Sequence, residues 1–202
     1  MAGTGVLTRD PAPAAPGLEG RILAAGLACI ARWGVAKTSL DDVARQAGCS
    51  RATVYRLFPG GKEALVGAVA RAEVAKVAAA VVAAGEGAPT IEELLAATLA
   101  EAWRQVHCHP AVASLQVHEP ETIVPWLAFA GKEALLAFAT DLLAPSLGRW
   151  LPVSEARRTA EWAARVWHSF TVFPSRGVDL GDDHSARCFV TTFMLPGLKE
   201  AP

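Results

Sequence analysis

Four polar side chains near residue 53 have the types and the spacing needed to bind nucleic acid. Arg51, Thr53, Tyr55 and Arg56 share the polar side of a short segment whose other side is apolar. Arginine can bind phosphate or the O6/N7 edge of guanine, threonine can bond to bases or phosphate, and tyrosine can bond to phosphate. No carboxylate or histidine lies among them to act as a base for a nucleophile. The chemistry favours DNA over catalysis, and a plain helical hairpin with a solvated polar face is the alternative.

Two short helices joined by a tight turn must position these side chains. Thr38 or Ser39 can cap the first helix, Gly48 can end it in left-handed geometry, and Ser50 can cap the second. A helix–turn–helix presents the polar face of its second helix to the major groove of DNA. Apolar residues recur at helical spacing in both predicted helices: Leu40, Val43, Ala44 and Ala47 in the first, and Val54, Leu57 and Phe58 in the second.

The run GVAKTSLDDVARQAGCSRATVYRLFPGGKEAL, residues 34–65, resembles the DNA-binding segment of the TetR family of bacterial transcriptional regulators. The shared elements are Gly34, Thr38–Ser39, Asp42-Val43-Ala44, Ala47–Gly48, Ser50, Thr53, Tyr55, Phe58 and Lys62-Glu63-Ala64-Leu65. The residues predicted to contact DNA are Lys37, Thr38, Ser39, Ser50, Arg51, Ala52, Thr53, Tyr55, Arg56 and Lys62.

One departure from the family pattern affects Lys62. The family usually has two residues between the phenylalanine and the lysine, whereas Pro59, Gly60 and Gly61 make three here. Whether Lys62 keeps the phosphate contact of the family is therefore left open.

Composition and charge set the class of protein. The chain has 202 residues, is 52% hydrophobic and carries a net charge of −1. Residues 1–67 hold eight basic against five acidic residues, and the remainder holds eleven against fifteen. A basic module on an acidic body is consistent with DNA binding by one part only.

The sequence predicts a cytoplasmic protein that does not enter a membrane. No signal peptide is evident at the N-terminus, and Arg71, Glu73 and Lys76 interrupt the longest apolar run, residues 64–84. The four cysteines are scattered without a CxxC pair, so we expect small buried hydrophobic side chains rather than a zinc or redox motif.

The predicted fold class is all-α. Residues 1–17, rich in proline and alanine, are predicted to be a disordered arm. Residues 18–67 form the three-helix DNA-binding domain with the first part of a connecting helix, and residues 68–202 form a helical ligand-binding and dimerisation domain. The predicted helices span 17–33, the two short helices, 62–84, 90–109, 110–119, 121–143, 154–173 and 182–195, with breaks at Gly34, residues 85–89, Pro145, Gly148 and Pro196.

The body is predicted to hold a ligand and to have no catalytic or metal site. His107, Cys108 and His109 are adjacent, so on a helix they point about 100° apart and cannot converge on one ion. Glu119 and Glu121 flank Pro120 and are interpreted as helix-capping charges rather than an acid–base pair. No cofactor is expected. The resemblance implies an inducer pocket, for which the body's aromatic residues predict a small hydrophobic, aromatic or acyl-chain ligand: Trp103, His107, Trp126, Phe129, Trp167 and Phe170.

The last two long helices are apolar on more than one face. A helix that leaves only a narrow polar stripe is buried against its own core and against a partner, and the resemblance implies a four-helix interface between two copies. The predicted interface residues are Trp162, Val166, Phe173, Phe189 and Phe193.

Together these patterns predict a homodimeric regulator of transcription. We expect a repressor that binds a near-palindromic DNA duplex and is released by a small apolar ligand. Two alternatives stay open: an activator on the same fold, and a helical ligand-binding protein or enzyme with a vestigial helix–turn–helix. The operator sequence, the target genes and the ligand are not specified by the sequence.

Overall fold

The computed structural model describes residues 17–121 and 132–199. These residues form helices joined by turns and contain no strand, which confirms the predicted all-α class. The helices are α1 Leu18–Lys37, α2 Leu40–Ala47, α3 Arg51–Leu57, α4 Gly61–Gly85, α5 Ile91–His107, α6 Pro110–His118, α7 Lys132–Leu147, α8 Val153–Val172, α9 Asp183–Phe189 and α10 Leu195–Lys199, with a π-helical turn at Val190–Met194 between α9 and α10.

Local capping places α2 and α3 as the sequence predicts. Ser39 accepts a hydrogen bond from the Asp42 backbone N–H at the start of α2, and Gly48 ends α2 with φ 66°. Ser50 accepts from the Thr53 backbone N–H at the start of α3. Because each cap satisfies an otherwise unpaired helix-end group, both ends of the turn are fixed within a few residues.

The head, which we define as α1–α3 with the first turns of α4, has one apolar core. Its central side chains include Ile22, Val43, Val54 and Leu65. The predicted stripe of α2 is entirely buried, whereas Leu57 of α3 is 38% exposed. The reason is that Val54 and Phe58 lie one turn apart and face the core, and Leu57 lies about 100° away from Phe58.

Helix α6 also packs against the head, although the sequence assigns it to the body. Ala111 is buried in the head core, and Leu115 packs on the same cluster. The head therefore meets the body twice, through the continuous helix α4 and through α6. Since α4 crosses residues 67 and 68 without interruption, the domain boundary placed there stays a prediction.

The body core lies between α5, α7, α8 and the π-helical turn. Thr90 caps α5 by accepting from the Glu93 backbone N–H, as predicted from the capping box. The buried side chains of this second core are mostly leucine and alanine: Leu94, Leu95, Ala96, Leu99, Ala144, Leu147, Ala156, Ala160, Ala163, Val190 and Met194.

Several helix ends differ from expectation. Pro145 lies inside α7; a proline cannot donate to the carbonyl oxygen four residues earlier, and α7 continues for only two residues beyond it. Pro196 lies inside α10, because the first turn of a helix needs no N–H from that residue. Ser154 does not cap α8, which starts at Val153 without a side-chain cap.

Two cysteines also differ from expectation. Cys29 is buried, and burial raises the pKa of its thiol. Cys49 is half-buried, but Cys108 and Cys188 are exposed. The prediction of four buried cysteines was therefore wrong for these two. None of the helices in the described ranges combines the length and the apolar character needed to cross a membrane.

Candidate nucleic-acid interface

The exposed side of α3 carries the predicted DNA-binding side chains. Arg51, Ala52, Tyr55 and Arg56 are exposed, and Thr53 is half-buried. The Thr53 and Ser50 hydroxyls lie 2.9 Å apart and share a hydrogen bond. Fixed at its start by Ser50 and at its base by buried Val54, α3 presents a rigid polar face to solvent.

Arg51 is held in place by neighbours on both helices. Its Nη1 donates to Asp41 Oδ2 at 2.8 Å, and its guanidinium lies 5.5 Å from the centre of the Tyr55 ring. The hydrogen bond with the Tyr55 side chain and the charge of Asp41 both raise the pKa of Arg51. The ion pair is half-exposed, and such pairs contribute only about 0–1 kcal/mol, so Arg51 can exchange Asp41 for a phosphate at little cost.

Asp42 stabilises the start of α2. Its carboxylate accepts from the Ser39 hydroxyl and from Arg45 Nη2, the latter at 3.0 Å. The Ser39 hydrogen bond is the main reason why the pKa of Asp42 is lowered. The negative charge also lies near the N-terminus of α2, where the helix dipole favours it.

The turn between α1 and α2 places Lys37, Thr38 and Ser39 directly before α2. Gly34 breaks the helical geometry of α1 with φ 80° and ψ 172°, and one further helical turn, Val35–Lys37, follows. The Thr38 hydroxyl donates to the Gly34 carbonyl oxygen at 2.6 Å, and Thr38 is buried. The Thr38 side chain thus holds this turn together, while Lys37 is exposed.

Lys62 contacts the same turn. Its Nζ donates to the Ala36 carbonyl oxygen at 2.8 Å. With three residues after Phe58, α4 starts at Gly61, which adopts φ 68° and donates to the Phe58 carbonyl oxygen at 2.9 Å. In this arrangement the Lys62 ammonium group braces the α1–α2 turn from the side of α4.

Glu119 is a residue of the head–body contact that the sequence does not reveal. It directly follows α6, and its carboxylate accepts from the Val35 N–H at 3.1 Å and the Ala36 N–H at 2.9 Å. The sequence predicts Glu119 as a capping charge of the helix beside it. Its carboxylate instead caps the turn at Val35 and Ala36, more than eighty residues away. In the sequence near this turn, only Gly34 indicates an unusual backbone. A glycine by itself does not indicate which distant residue bonds to the turn.

The predicted ligand residues of the body fall into three groups. Trp103 and His107 stack with ring centres 3.8 Å apart, and Trp103 and Phe170 line a cleft of about 200 Å³ beside Pro174. Trp167 instead packs against the body core. Trp126 and Phe129 lie outside the described residues.

Two polar atoms inside α8 have no hydrogen-bond partner. These are Trp167 Nε1 and Thr171 Oγ1, one helical turn apart. Buried polar atoms are paired in the great majority of cases, so this pair stands out from the rest of the described chain.

The sequence also did not single out a larger groove of about 800 Å³ between α7 and α8. Two ion pairs involve side chains of its lining: Arg157 pairs with Asp141, and Arg165 pairs with Glu161. Its lining is therefore more polar than the predicted aromatic pocket: Glu133, Leu136, Ala137, Thr140, Arg157, Glu161, Arg165 and His168.

The histidines next to Cys108 have separate partners. His107 Nδ1 lies 3.0 Å from the Trp103 carbonyl oxygen, and His109 Nε2 lies 3.2 Å from Glu73 Oε2 of α4. Burial alone would raise the pKa of Glu73, but hydrogen bonds from Lys76 and His109 outweigh it, and the pKa is lowered. Within the described ranges no three potential metal ligands come together.

The predicted interface side chains of α8 and the chain after it are largely exposed. Phe173 is 77% exposed, Phe193 61% and Trp162 38%. Val166 and Phe189 are half-buried, and Phe189 packs between Phe170 and Phe193.

The head and its exposed polar face define a class of protein. A three-helix head whose third helix presents arginine, threonine and tyrosine, carried on a larger helical body, is a helix–turn–helix DNA-binding protein. The family model described as bacterial regulatory proteins, tetR family, matches residues 22–69. Residues 22–69 therefore match the DNA-binding domain of the TetR family, and the chain, which shares the fold of TetR-family proteins, is a DNA-binding transcriptional regulator.

Relatives match along most of the chain. An uncharacterized HTH-type transcriptional regulator of Mycobacterium tuberculosis is 28% identical over 176 residues, which are 87% of this chain and 83% of that protein. The crystal structure of the TetR family repressor AlkX from Dietzia sp. is similar with a TM-score of 0.66 and 25% identity, over 95% of this chain and 99% of that chain. The fatty acid degradation regulator FadR from Bacillus halodurans shares the fold with a TM-score of 0.55 and 14% identity, over 90% and 98% of the two chains.

Proposed function

We propose that this chain acts in the cytoplasm as a homodimeric repressor, without catalytic activity, and that a small ligand with an apolar body releases it from DNA. The observation that carries this proposal is that the chain has two separate exposed surfaces. One is the polar face of α3, and the other is formed by aromatic side chains of the C-terminal part of the body. The first binds DNA, and the second offers a surface for a second copy.

The proposed DNA contacts centre on α3 and the turn before α2. Arg51, Thr53, Tyr55 and Arg56 would contact bases and phosphates, and Lys37 and Ser39 would contact the phosphate backbone. Thr38 and Lys62 are included only for their support of the turn, because the Thr38 hydroxyl and the Lys62 ammonium group already bond to the backbone of residues 34 and 36.

The proposed dimer rests on the apolar residues left exposed in a single chain. Trp162 lies on α8, Phe173 directly follows α8, and Phe193 lies on the π-helical turn. Large exposed aromatic side chains on neighbouring elements are typical of interfaces, where aromatic residues are enriched. A dimer would present two α3 helices to half-sites about 34–36 Å apart on a near-palindromic duplex.

The proposed ligand is apolar with a polar end. Trp103 and Phe170 supply apolar surface in the cleft beside Pro174. Trp167 Nε1 and Thr171 Oγ1 are not part of that lining, but both are buried without a partner, so a polar group of the ligand would bond to them only if binding opens this part of α8. AlkX is described as a repressor implicated in the biodegradation of n-alkanes, so hydrocarbon chains and their oxidised derivatives are the first class to test. The ligand can shift DNA binding only by its difference in affinity for two conformers of the protein.

The test has two stages. Purified protein first selects duplexes from random DNA, and a near-palindrome should be enriched. An n-alkane, the alcohol and the fatty acid of the same chain length are then added to the complex in a gel-shift titration, and release is measured. A protein that enriches no duplex would support the alternative of a vestigial helix–turn–helix. A reporter gene whose transcription rises when the protein is present would support the activator.

A further inference from the structure

Glu119 belongs to the body by sequence, but its carboxylate is part of the head. It is 7% exposed and accepts hydrogen bonds from two consecutive backbone N–H groups, those of Val35 and Ala36. Both N–H groups start the single helical turn that follows the break at Gly34. A carboxylate at this position satisfies two unpaired donors at a helical start, where negative charge is also favoured.

The backbone at Gly34 is shaped around this carboxylate. A Cβ atom at Gly34 would overlap with Glu119 Oε1. The φ of 80° is also one that residues other than glycine rarely adopt. The close approach therefore depends on a glycine at position 34 for both steric and conformational reasons.

Two further bonds hold the same turn. Lys62 Nζ donates to the Ala36 carbonyl oxygen, and the Thr38 hydroxyl donates to the Gly34 carbonyl oxygen. Immediately after the turn, Ser39 caps α2. Glu119 thus bonds to the backbone N–H groups of this short segment, and Lys62 bonds to one of its carbonyl oxygens. Lys37, Thr38 and Ser39 stand at the end of the same segment.

Helix α6 fixes the position of Glu119. The Glu119 N–H donates to the Leu115 carbonyl oxygen at 2.9 Å, and Leu115 packs on the head core. At the other end of α6, His109 bonds to Glu73 of α4. Because α6 is held at both ends, the Glu119 carboxylate is set by the arrangement of the body as well as by the head.

From this geometry we propose that Glu119 is a positioning residue for DNA binding. It orients the Val35–Lys37 turn so that Lys37 and the N-terminus of α2 meet the phosphate backbone, and it does so without touching DNA. This inference rests on the DNA-binding activity of the family and is independent of which ligand the body binds or whether the protein represses.

The test compares Glu119→Gln and Glu119→Ala with the parent on one duplex selected by the parent protein. Glutamine keeps the size of the side chain but offers one acceptor oxygen and turns an N–H₂ group toward a backbone donor. The loss of one charge-assisted hydrogen bond should weaken duplex binding roughly tenfold, and alanine should weaken it further. The matched control is Glu121→Gln, which removes the same charge from an exposed position two residues along, and it should bind like the parent.

Two additional measurements separate positioning from a general loss of structure. Glu119→Asp keeps the charge and should bind more tightly than Glu119→Gln. Glu119→Gln should also be non-additive with Lys37→Ala and additive with Arg56→Ala, because only Lys37 is carried by the affected turn.

Parental affinity in both Glu119→Gln and Glu119→Ala would overturn the proposal, and so would additivity with Lys37→Ala. If the variants do not fold, amide hydrogen exchange of the parent decides the question: Val35 and Ala36 amides that exchange rapidly in the DNA-bound parent would overturn the proposal, and protected amides would support it. A parent protein that selects no duplex would instead contradict the DNA-binding assignment itself, which is a different outcome.

Discussion

The head and the body of this regulator differ in how completely their polar groups are paired. In the head, Ser39, Ser50 and Thr38 all bond to backbone groups, and the α1–α2 turn is braced by two charged side chains. In the body, Trp167 Nε1 and Thr171 Oγ1 are buried without partners, and Phe173 and Phe193 are more exposed than any large apolar side chain of the head.

The contrast teaches which region is complete by itself. A surface that binds DNA gains from rigid, preorganised side chains, and the head has the bonds that provide rigidity. Unpaired buried polar atoms cost stability in a single chain, and exposed aromatic side chains that lie together mark an interaction surface. In the body they are expected where a ligand and a second copy would supply the missing contacts. Five predictions test this comparison, from the largest expected effect to the smallest.

The two cores should unfold together despite their different character. Ile22→Ala in the head and Leu94→Ala in the body each remove a fully buried side chain, and each should lower the free energy of unfolding by about 2–5 kcal/mol. Because α4 and α6 connect the two regions, each variant should shift one shared transition in urea, monitored by circular dichroism. Two separate transitions, of which a variant moves only one, would show that head and body are independent.

The exposed aromatic side chains should be required for the dimer. Phe193→Glu and Trp162→Glu place a charge in the proposed interface, and hot-spot side chains of this type contribute about 2 kcal/mol or more. Sedimentation at micromolar concentration should show monomers or insoluble protein. Val117→Glu is the control, because Val117 is 74% exposed on α6, away from the proposed interface. A parent protein that sediments as a monomer, and stays one on DNA, would contradict the dimer.

The α3 face should contribute to affinity and hardly to stability. Arg51→Ala, Thr53→Ala and Tyr55→Phe remove proposed DNA contacts, and each should weaken binding by about 1–3 kcal/mol where the contact is to a base. Their melting temperatures should stay close to that of the parent, because the Arg51–Asp41 pair is exposed and weak. Gel-shift titration on the selected duplex checks this, and three variants with parental affinity would mean that the face is misassigned.

The unpaired hydroxyl of the body should be dispensable for folding. Replacing Thr171 by Val removes a buried polar atom that has no partner, so the free energy of unfolding should change by less than about 1 kcal/mol or should rise. Thr98→Val is the matched control, since the Thr98 hydroxyl donates to the Leu94 carbonyl oxygen at 2.8 Å. Thr98→Val should therefore lower the free energy of unfolding more than Thr171→Val does.

The same variant also tests the ligand. If a polar-ended ligand binds as proposed, Thr171→Val and Trp167→Phe should reduce its affinity while the affinity for operator DNA stays parental. Titration by tryptophan fluorescence measures the Thr171→Val variant, and calorimetry measures Trp167→Phe, which loses part of the fluorescence. Unchanged ligand affinity in both variants would separate these two atoms from the ligand site.

The sequence by itself determined the helix–turn–helix. The capping residues Ser39, Gly48 and Ser50 and the α2 stripe all act within three or four residues, so their spacing in the chain is their spacing in space. For the same reason the residues that could face DNA were identifiable on α3. The contacts that they make with DNA stay predictions.

Only the tertiary structure decided how the head is joined to the body. The Glu119 carboxylate meets Val35 and Ala36 across more than eighty residues, and Lys62 meets Ala36 across twenty-six. Whether such groups meet depends on the packing of α4 and α6, to which no local spacing is a guide. Leu57 and Pro145 give the same lesson on a smaller scale, since burial and tolerance of a proline depend on the neighbours that a helix finds and on where it ends. A hydrogen bond or an apolar contact has the same short range in every case. The sequence reveals only those hydrogen bonds and apolar contacts whose two partners are also close together along the chain.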